Sequence, residues 1–135
     1  MSQLHALGVT AEKNKELYSF SCVDPSVLER FSAPNKGQTV TIACDEFTSL
    51  CPVTGQPDFG KIRITYVPDE YCVESKSLKL YLMGFRQTGA FAEKCVQMIC
   101  TDLQQLLSAT YLKVQGDFAA RGGIAICPES EVGHK

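Results

Sequence analysis

The sequence predicts an α+β fold, an antiparallel sheet with two helices packed on one face. Three observations lead there. Four short segments alternate apolar with polar residues or are rich in β-branched side chains. Two stretches between them repeat apolar residues at helical spacing. The resulting order, ββααββ, groups the strands around a pair of helices, and such a chain buries its apolar surface as a sheet layer under a helix layer.

Residues 1–36 carry no sustained period and are punctuated by Asn14, Asp24-Pro25 and Pro34-Asn35. They are expected to form an N-terminal arm lying on the body or on a neighbouring subunit, with one domain over 37–135. Within the arm a short helix over Asp24–Arg30 is predicted, Asp24 capping it and Pro25 in its first turn. Thr39–Cys44 reads as the first strand and Lys61–Val67 as the second, stopped by Pro68-Asp69. The connection from Asp45 to Gly60, dense in Thr, Ser, Pro, Gly and Asp, is predicted as a long loop, and loops of that length are more often functional than idle. From Ser77, Leu78, Leu82 and Phe85 recur at helical spacing until Gln87-Thr88-Gly89. A second helix is predicted from about Ala90 to Ser108, with Phe91, Cys95, Met98, Thr101-Asp102 and Gln105-Leu106 marking successive turns. Tyr111–Phe118 is the third strand, Arg121-Gly122-Gly123 a turn and Ile124–Cys127 the fourth strand. An antiparallel sheet of this kind has open edges, so association of copies is expected.

Composition narrows the function. The 135 residues include 44% apolar and 21% charged side chains, as in an ordinary globular domain. The net charge of −2 lacks the broad basic footprint of a nucleic-acid-gripping protein. No apolar run reaches membrane-helix length and the N-terminus does not read as a signal peptide, so a cytoplasmic, membrane-free address is expected. Seven cysteines, an odd number, suit reduced thiols. With no Cys-x-x-Cys pair and two histidines near the termini, no metal site is expected.

Three places can carry chemistry. Cys51 sits in the polar, turn-rich segment Phe47–Phe59, where a thiol is accessible, and Asp58, seven residues on across two prolines, can fold back within proton-transfer reach. A nucleophile beside a carboxylic acid suits attack on an unsaturated carbon. Glu74–Lys79 begins a helix at which Glu74 or Ser75 can cap, while Lys76, Ser77 and free backbone N–H groups can hold an anion such as phosphate. Glu93, early in the second helix, can accept two adjacent N–H groups from the edge of a guanine-like base. A roleless loop cysteine, a solvated helix end and a surface carboxylate are the alternatives at these places.

Phe47–Phe59 followed by Glu74-Ser75-Lys76-Ser77-Leu78-Lys79-Leu80-Tyr81-Leu82, and then Arg121-Gly122-Gly123-Ile124, closely resembles the single-module members of the NADPH-dependent 7-cyano-7-deazaguanine reductase (QueF) family. The likeness runs from about Cys44 to Cys127. It implies a tunnelling fold (T-fold), in which ββααββ subunits close into multi-subunit barrels, commonly decamers, with active sites between subunits. It further implies Cys51 as the nucleophile that forms a thioimide with the nitrile and Asp58 as the acid at the nitrile nitrogen. Val73, Glu74, Ser75 and Glu93 become substrate contacts, with Lys76, Ser77 and Lys79 in the NADPH signature. Two NADPH would yield 7-aminomethyl-7-deazaguanine, a precursor of the tRNA base queuosine. The chain departs from the family at Ala92, where a histidine usually precedes the anchoring glutamate. Two readings stand beside reduction: an amidine-forming relative acting on the same thioimide, and a substrate binder impaired in reduction by Ala92. Cys95, two residues after Glu93, is a further expectation as the partner of Cys51 in a reversible protective disulfide.

Overall fold

A computed structural model describes residues 22–135; the first 21 residues of the expected arm lie outside the described residues. The first element among the described residues is a single 3-10 turn, Pro25–Val27, rather than the predicted helix to Arg30. Asp24 caps it as expected, its carboxylate accepting from the Ser26 N–H at 3.0 Å. The turn stops early because the chain is taken up by a strand. β1 (Arg30–Ser32) pairs antiparallel with β4 (Tyr71–Val73), which ties this part of the chain to the body. Neither three-residue strand has enough length to show a period.

The main sheet has four antiparallel strands in the order β2 (Val40–Leu50), β3 (Pro57–Val67), β5 (Tyr111–Phe118) and β6 (Glu129–Gly133). Two helices, α1 (Ser75–Met83) and α2 (Ala92–Leu107), lie between β4 and β5 in sequence and cover one face. The α+β layering is therefore as predicted. Three local expectations are corrected.

The expected long loop Asp45–Gly60 is mostly strand, and only 51–56 remain as a hairpin connection. A bulge between Cys44 and Phe47 explains the error. Before it, Ile42 and Cys44 face inward; after it, Phe47 and Ser49 do, so one extra residue shifts the alternation by one and hides the strand.

The fourth strand is Glu129–Gly133, not Ile124–Cys127. Glu129-Ser130-Glu131 has no strand signature of its own. It is held by its neighbour's ladder from Tyr111↔Gly133 to Gln115↔Glu129, with Lys113 paired to Glu129 and Gln115 donating to Glu129 at 2.9 Å. Ile126 and Pro128 lie beside β5 through single bonds, Phe118 N–H to the Ile126 carbonyl at 3.2 Å and Gly116 N–H to the Pro128 carbonyl at 2.9 Å, while the backbone bonds of Ile124 go to Arg121 across the turn. The side chains of Ile124 and Ile126 are exposed.

The third correction concerns α2. Its buried stripe is Cys95, Val96, Ile99, Cys100, Leu103 and Leu107; Cys95 is buried as the predicted track has it, whereas Phe91, Thr101 and Gln105 of that track are exposed. On α1, Leu78, Tyr81 and Leu82 are buried, and Phe85 follows in a 3-10 turn (Gly84–Gln87).

These side chains meet Phe47, Ile62, Ile64, Tyr66, Leu112, Val114 and Phe118 from the sheet in one core. At Gly116 of β5 the sheet lies directly against Val96 of α2. A Cβ there would lie 2.8 Å from Phe118 Cε1 and 2.9 Å from Val96 Cγ2, both on stiff side chains. Gly116→Ala is therefore expected to cost about 1–3 kcal/mol, read as a lower melting temperature at matched protein concentration; an unchanged melting temperature would mean the interface yields.

Candidate active site

Cys51 ends β2 and opens the hairpin. Its backbone N–H donates to the Gln56 carbonyl (2.8 Å), and its own carbonyl accepts from Gly55 (2.9 Å), so the six-residue loop is closed on itself. Gly55 sits at φ +72°, a left-handed position that glycine takes without strain. The preceding residue is clamped from the other side. Leu50 N–H donates to Thr88 O and Ala90 N–H donates to Leu50 O, both at 3.0 Å, which fixes the end of β2 against the segment leading into α2. The thiol is thus held by backbone on both sides.

The loop also tunes it. The Thr54 hydroxyl and the N–H groups of Thr54 and Val53 bring the Cys51 thiol from its ordinary 9.0 to about 7, desolvation opposes them, and Arg121 adds a smaller push downward. Near neutral pH a large share of Cys51 is then thiolate, the form that attacks carbon.

Asp58, the second residue of β3, is partly buried and lines the same cavity of about 340 Å3 as Cys51, Ala92, Glu93 and Arg121. Phe91, Ile124 and Ile126, all exposed in the single subunit, supply much of its apolar wall. The expected trio of Cys51, Asp58 and Glu93 is brought together, with Ala92 beside it. Cys95 is fully buried under this cavity, its thiol 3.8 Å from the Ala90 carbonyl. Burial pushes it up, the neighbouring Ser49 hydroxyl opposes that, and the Asp58 charge adds a further upward push.

The second predicted group lies elsewhere in the subunit: Val73, Glu74, Ser75, Lys76, Ser77 and Lys79 do not line the Cys51 cavity. Val73 is buried in the core. Glu74 is the N-cap of α1, and its carboxylate takes the Lys76 and Ser77 N–H groups at 2.9 and 2.8 Å. The free N–H groups expected to hold an external anion there are thus already occupied, which corrects that reading of the helix start. Ser77 is buried, its hydroxyl accepting from Glu29 N–H (2.9 Å) and donating to the Glu74 carbonyl (2.8 Å). Ser75 and Lys79 line a separate cavity of about 450 Å3 between α1 and β2, together with Leu78, Leu82 and Arg86. Lys76 is exposed at the same helix end.

Arg121 is the site residue that sequence reasoning passed over. It forms an ion pair with Asp58, and its other guanidinium nitrogen donates to the Gln56 side chain at 2.9 Å. The signal was present in Arg121-Gly122-Gly123-Ile124. Gly122 and Gly123 both have positive φ, as a type I′ hairpin turn requires, and Arg121 and Ile124 bond reciprocally across it. The turn was legible, but what its first residue reaches was not.

A solved structure described as the archaeosine synthase QueF-Like in the apo form shares this fold, with a TM-score of 0.69 over 75% of this chain and 99% of that one at 16% identity. Fold and site define an α+β protein of the tunnelling-fold class that gathers a tuned thiol, two carboxylates and a guanidinium in one cavity. A family model described as QueF-like protein matches residues 57–135, and the chain belongs to that family. Curated relatives named NADPH-dependent 7-cyano-7-deazaguanine reductase are similar over most of its length. The Helicobacter pylori (strain Shi470) protein is 57% identical over 104 residues, 76% of this chain and 71% of the relative. The Bdellovibrio bacteriovorus protein is 52% identical over 125 residues, 91% of this chain and 71% of the relative. The one from Bacteroides thetaiotaomicron is 54% identical over 111 residues, 81% and 74%.

Proposed function

We propose that this chain is an NADPH-dependent nitrile reductase converting 7-cyano-7-deazaguanine to 7-aminomethyl-7-deazaguanine, a small-molecule step towards queuosine. The observation that carries the reading is the Cys51 loop, which lowers a thiol to about 7 beside Asp58 and Glu93 in one cavity. Glu93 presents its carboxylate to adjacent N–H groups of the deazaguanine, and Phe91, Ile124 and Ile126 offer apolar contact to its ring. Cys51 sulfur adds to the nitrile carbon; one π bond of the nitrile breaks, and its electron pair moves to nitrogen. The proton that Cys51 gives up is the proton nitrogen needs, so Asp58 carries it from sulfur to nitrogen and the thioimide forms with no net gain or loss. Bound NADPH supplies the two hydride equivalents. Cys51 leaves as thiolate after the first reduction, and the imine it releases is reduced to the amine with a proton from solvent at nitrogen, a second solvent proton returning Cys51 to its starting state.

We place the cofactor at the α1–β2 cavity, where Lys79 and Arg86 line the α1 side over an apolar floor of Leu78 and Leu82, with Lys76 exposed close by; Asp45 and Glu46 line the β2 side, so the phosphates would lie towards α1. Ser77 enters this reading as the residue that braces the helix start, through its bonds to Glu29 and Glu74. Because the Cys51 cavity contains none of Val73–Lys79, we place the complete site between copies of the chain, one subunit giving Cys51, Asp58 and Glu93 and the neighbour giving Val73, Glu74, Ser75 and the cofactor cations. Among the described residues β2 and β6 are the two edges of the sheet and pair with no further strand, which suits continuing it into a closed homo-oligomer, with a decamer as the proposed number. No helix among the described residues is long and apolar enough to cross a membrane. Action in the cytoplasm without nucleic acid as a direct partner, a 1–36 arm and a single 37–135 domain complete the proposal.

The test is loss of NADPH absorbance when the nitrile is added. Two NADPH per nitrile support the reading, and an adduct without oxidation would move it to the amidine-forming or impaired alternative. Ala92 faces the cavity without a polar atom on its side chain, so Ala92→His is expected to raise turnover by up to about 10²-fold by adding a proton-transfer group. Unchanged turnover would show that the imidazole is dispensable here. Cys95 extends the proposal to protection. Peroxide oxidises Cys51 to the sulfenic acid, and the Cys95 thiol then displaces water to close a disulfide. Peroxide treatment without nitrile is expected to give a linked 51–95 peptide that dithiothreitol reverses, whereas progression of Cys51 to the sulfinic acid would sink the idea.

A further inference from the structure

We propose that Ser49 is the positioning residue for Cys95, its buried hydroxyl turning to donate to the Cys95 sulfur as that sulfur attacks oxidised Cys51. The inference rests on the protective pairing of Cys51 with Cys95 proposed above, and names the group that makes Cys95 able to attack.

Among the described residues, Ser49 and Ser77 are the two buried polar side chains. The Ser77 hydroxyl is employed by Glu29 and Glu74. Ser49 is fully enclosed, and its Oγ has no partner. Such an orphan is rare in a core, because an unmade hydrogen bond is costly there and alanine would fill the same space. The Ser49 hydroxyl is therefore an uncommitted donor.

The fold sets that donor beside one sulfur. After the bulge in β2, Phe47 and Ser49 turn into the core, and Asp58 stands opposite Ser49 in the β2–β3 register. The bonds of Leu50 to Thr88 and Ala90 lash this end of β2 to the segment entering α2. Cys95 lies in the first turn of that helix, fully buried, with its thiol directed to the Ala90 carbonyl at 3.8 Å. A carbonyl can only accept, so that contact favours the protonated thiol. Ser49 is the leading influence that opposes burial at Cys95, ahead of the Cys95 backbone N–H. The titratable groups facing Cys95 from other elements do not help a thiolate form. Asp58 on β3 pushes the thiol up, and Tyr81 on α1 already gives its hydroxyl to Asp102.

The Cys51 thiolate gives an electron pair to peroxide, the O–O bond breaks, and Cys51 becomes a sulfenic acid as hydroxide leaves. The Cys95 sulfur then bonds to the Cys51 sulfur and the S–O bond breaks. The departing oxygen takes the proton that Cys95 gave up and leaves as water. Ser49 keeps its own proton throughout and lends only a hydrogen bond.

The experiment follows the reduced full-length protein after a pulse of hydrogen peroxide, with no nitrile present, from neutral pH upward. Dimedone traps the sulfenic acid, N-ethylmaleimide the free thiols, and the peptides are read by mass. Ser49→Ala is expected to form the Cys51 sulfenic acid at the wild-type rate. Losing a hydrogen bond to the charged sulfur moves Cys95 up by about one pH unit. That cuts its thiolate about tenfold, while the more basic sulfur attacks about threefold faster. Disulfide closure at neutral pH should therefore slow about threefold, with more sulfinic acid formed, and the deficit should shrink as pH rises towards the Cys95 midpoint. Removing an unpartnered hydroxyl should leave the melting temperature equal or higher. A merely structural role would slow closure by the same factor at every pH. Equal closure rates at neutral pH, or a slowing that does not change with pH, would overturn the proposal. A wild type that forms no linked 51–95 peptide would overturn the protective pairing itself, and this inference with it.

Discussion

Cys51→Ala is expected to abolish nitrile-dependent NADPH oxidation, by at least about 10⁴-fold, because the reaction loses its covalent step rather than an assisting contact. A nitrile carbon is a poor hydride acceptor, whereas the protonated thioimide is polarised for attack. Removing sulfur therefore removes the species that is reduced. The side chain is partly exposed at a loop whose geometry comes from backbone bonds of Cys51, Gly55 and Gln56, so the variant should fold and its melting temperature should stay close to wild type. Two readouts separate chemistry from binding: NADPH absorbance, and the denatured-protein mass, which should gain the nitrile in wild type and not in the variant. A variant that still oxidises NADPH in proportion to added nitrile would refute the covalent mechanism.

Asp58→Asn is expected to lower turnover by about 10²–10⁴-fold, the range for losing a positioned proton carrier. The amide nearly matches the carboxylate in shape and can still accept from Arg121, but it cannot take the Cys51 proton. A second measurement should move the other way. With one anion fewer in the cavity, Cys51 alkylation at pH 7 should hold or speed up while nitrile reduction collapses. That split is the signature of a proton carrier. A parallel fall in both rates would mean that the substitution disturbed the loop.

Both experiments probe a cavity that was only half visible in the chain. The layer architecture was legible because it depends on periods long enough to survive noise: Leu78 and Leu82 on α1 with Phe85 in the 3-10 turn after it, and the clean alternation of Lys61–Val67 on β3, map to buried residues of the core. Cys51 and Asp58 were legible as candidates because a thiol and a carboxylate seven residues apart in a turn-rich segment restrict what they can do, whereas Glu93, far along the chain, drew its role from the family resemblance. The hairpin hid itself through the bulge before Phe47, since a single extra residue inverts which side chains face the core while leaving composition untouched. β6 escaped for another reason: Glu129-Ser130-Glu131 is a strand only because β5 offers it a backbone ladder and cross-strand partners.

The sequence by itself determined the α+β class, the two-helix layer and the family signature, and put forward Cys51, Asp58 and Glu93 as candidates, all of which reside in local pattern and residue chemistry. Tertiary structure alone decided the rest. It put Arg121 on Asp58 across 63 residues of chain, spent the N–H groups of α1 on Glu74, and separated Val73–Lys79 from the Cys51 cavity. These outcomes depend on which backbone groups find partners and on where a turn directs a side chain. Such pairings are settled by the whole fold competing for each hydrogen bond and each charge, and no window along the chain contains them.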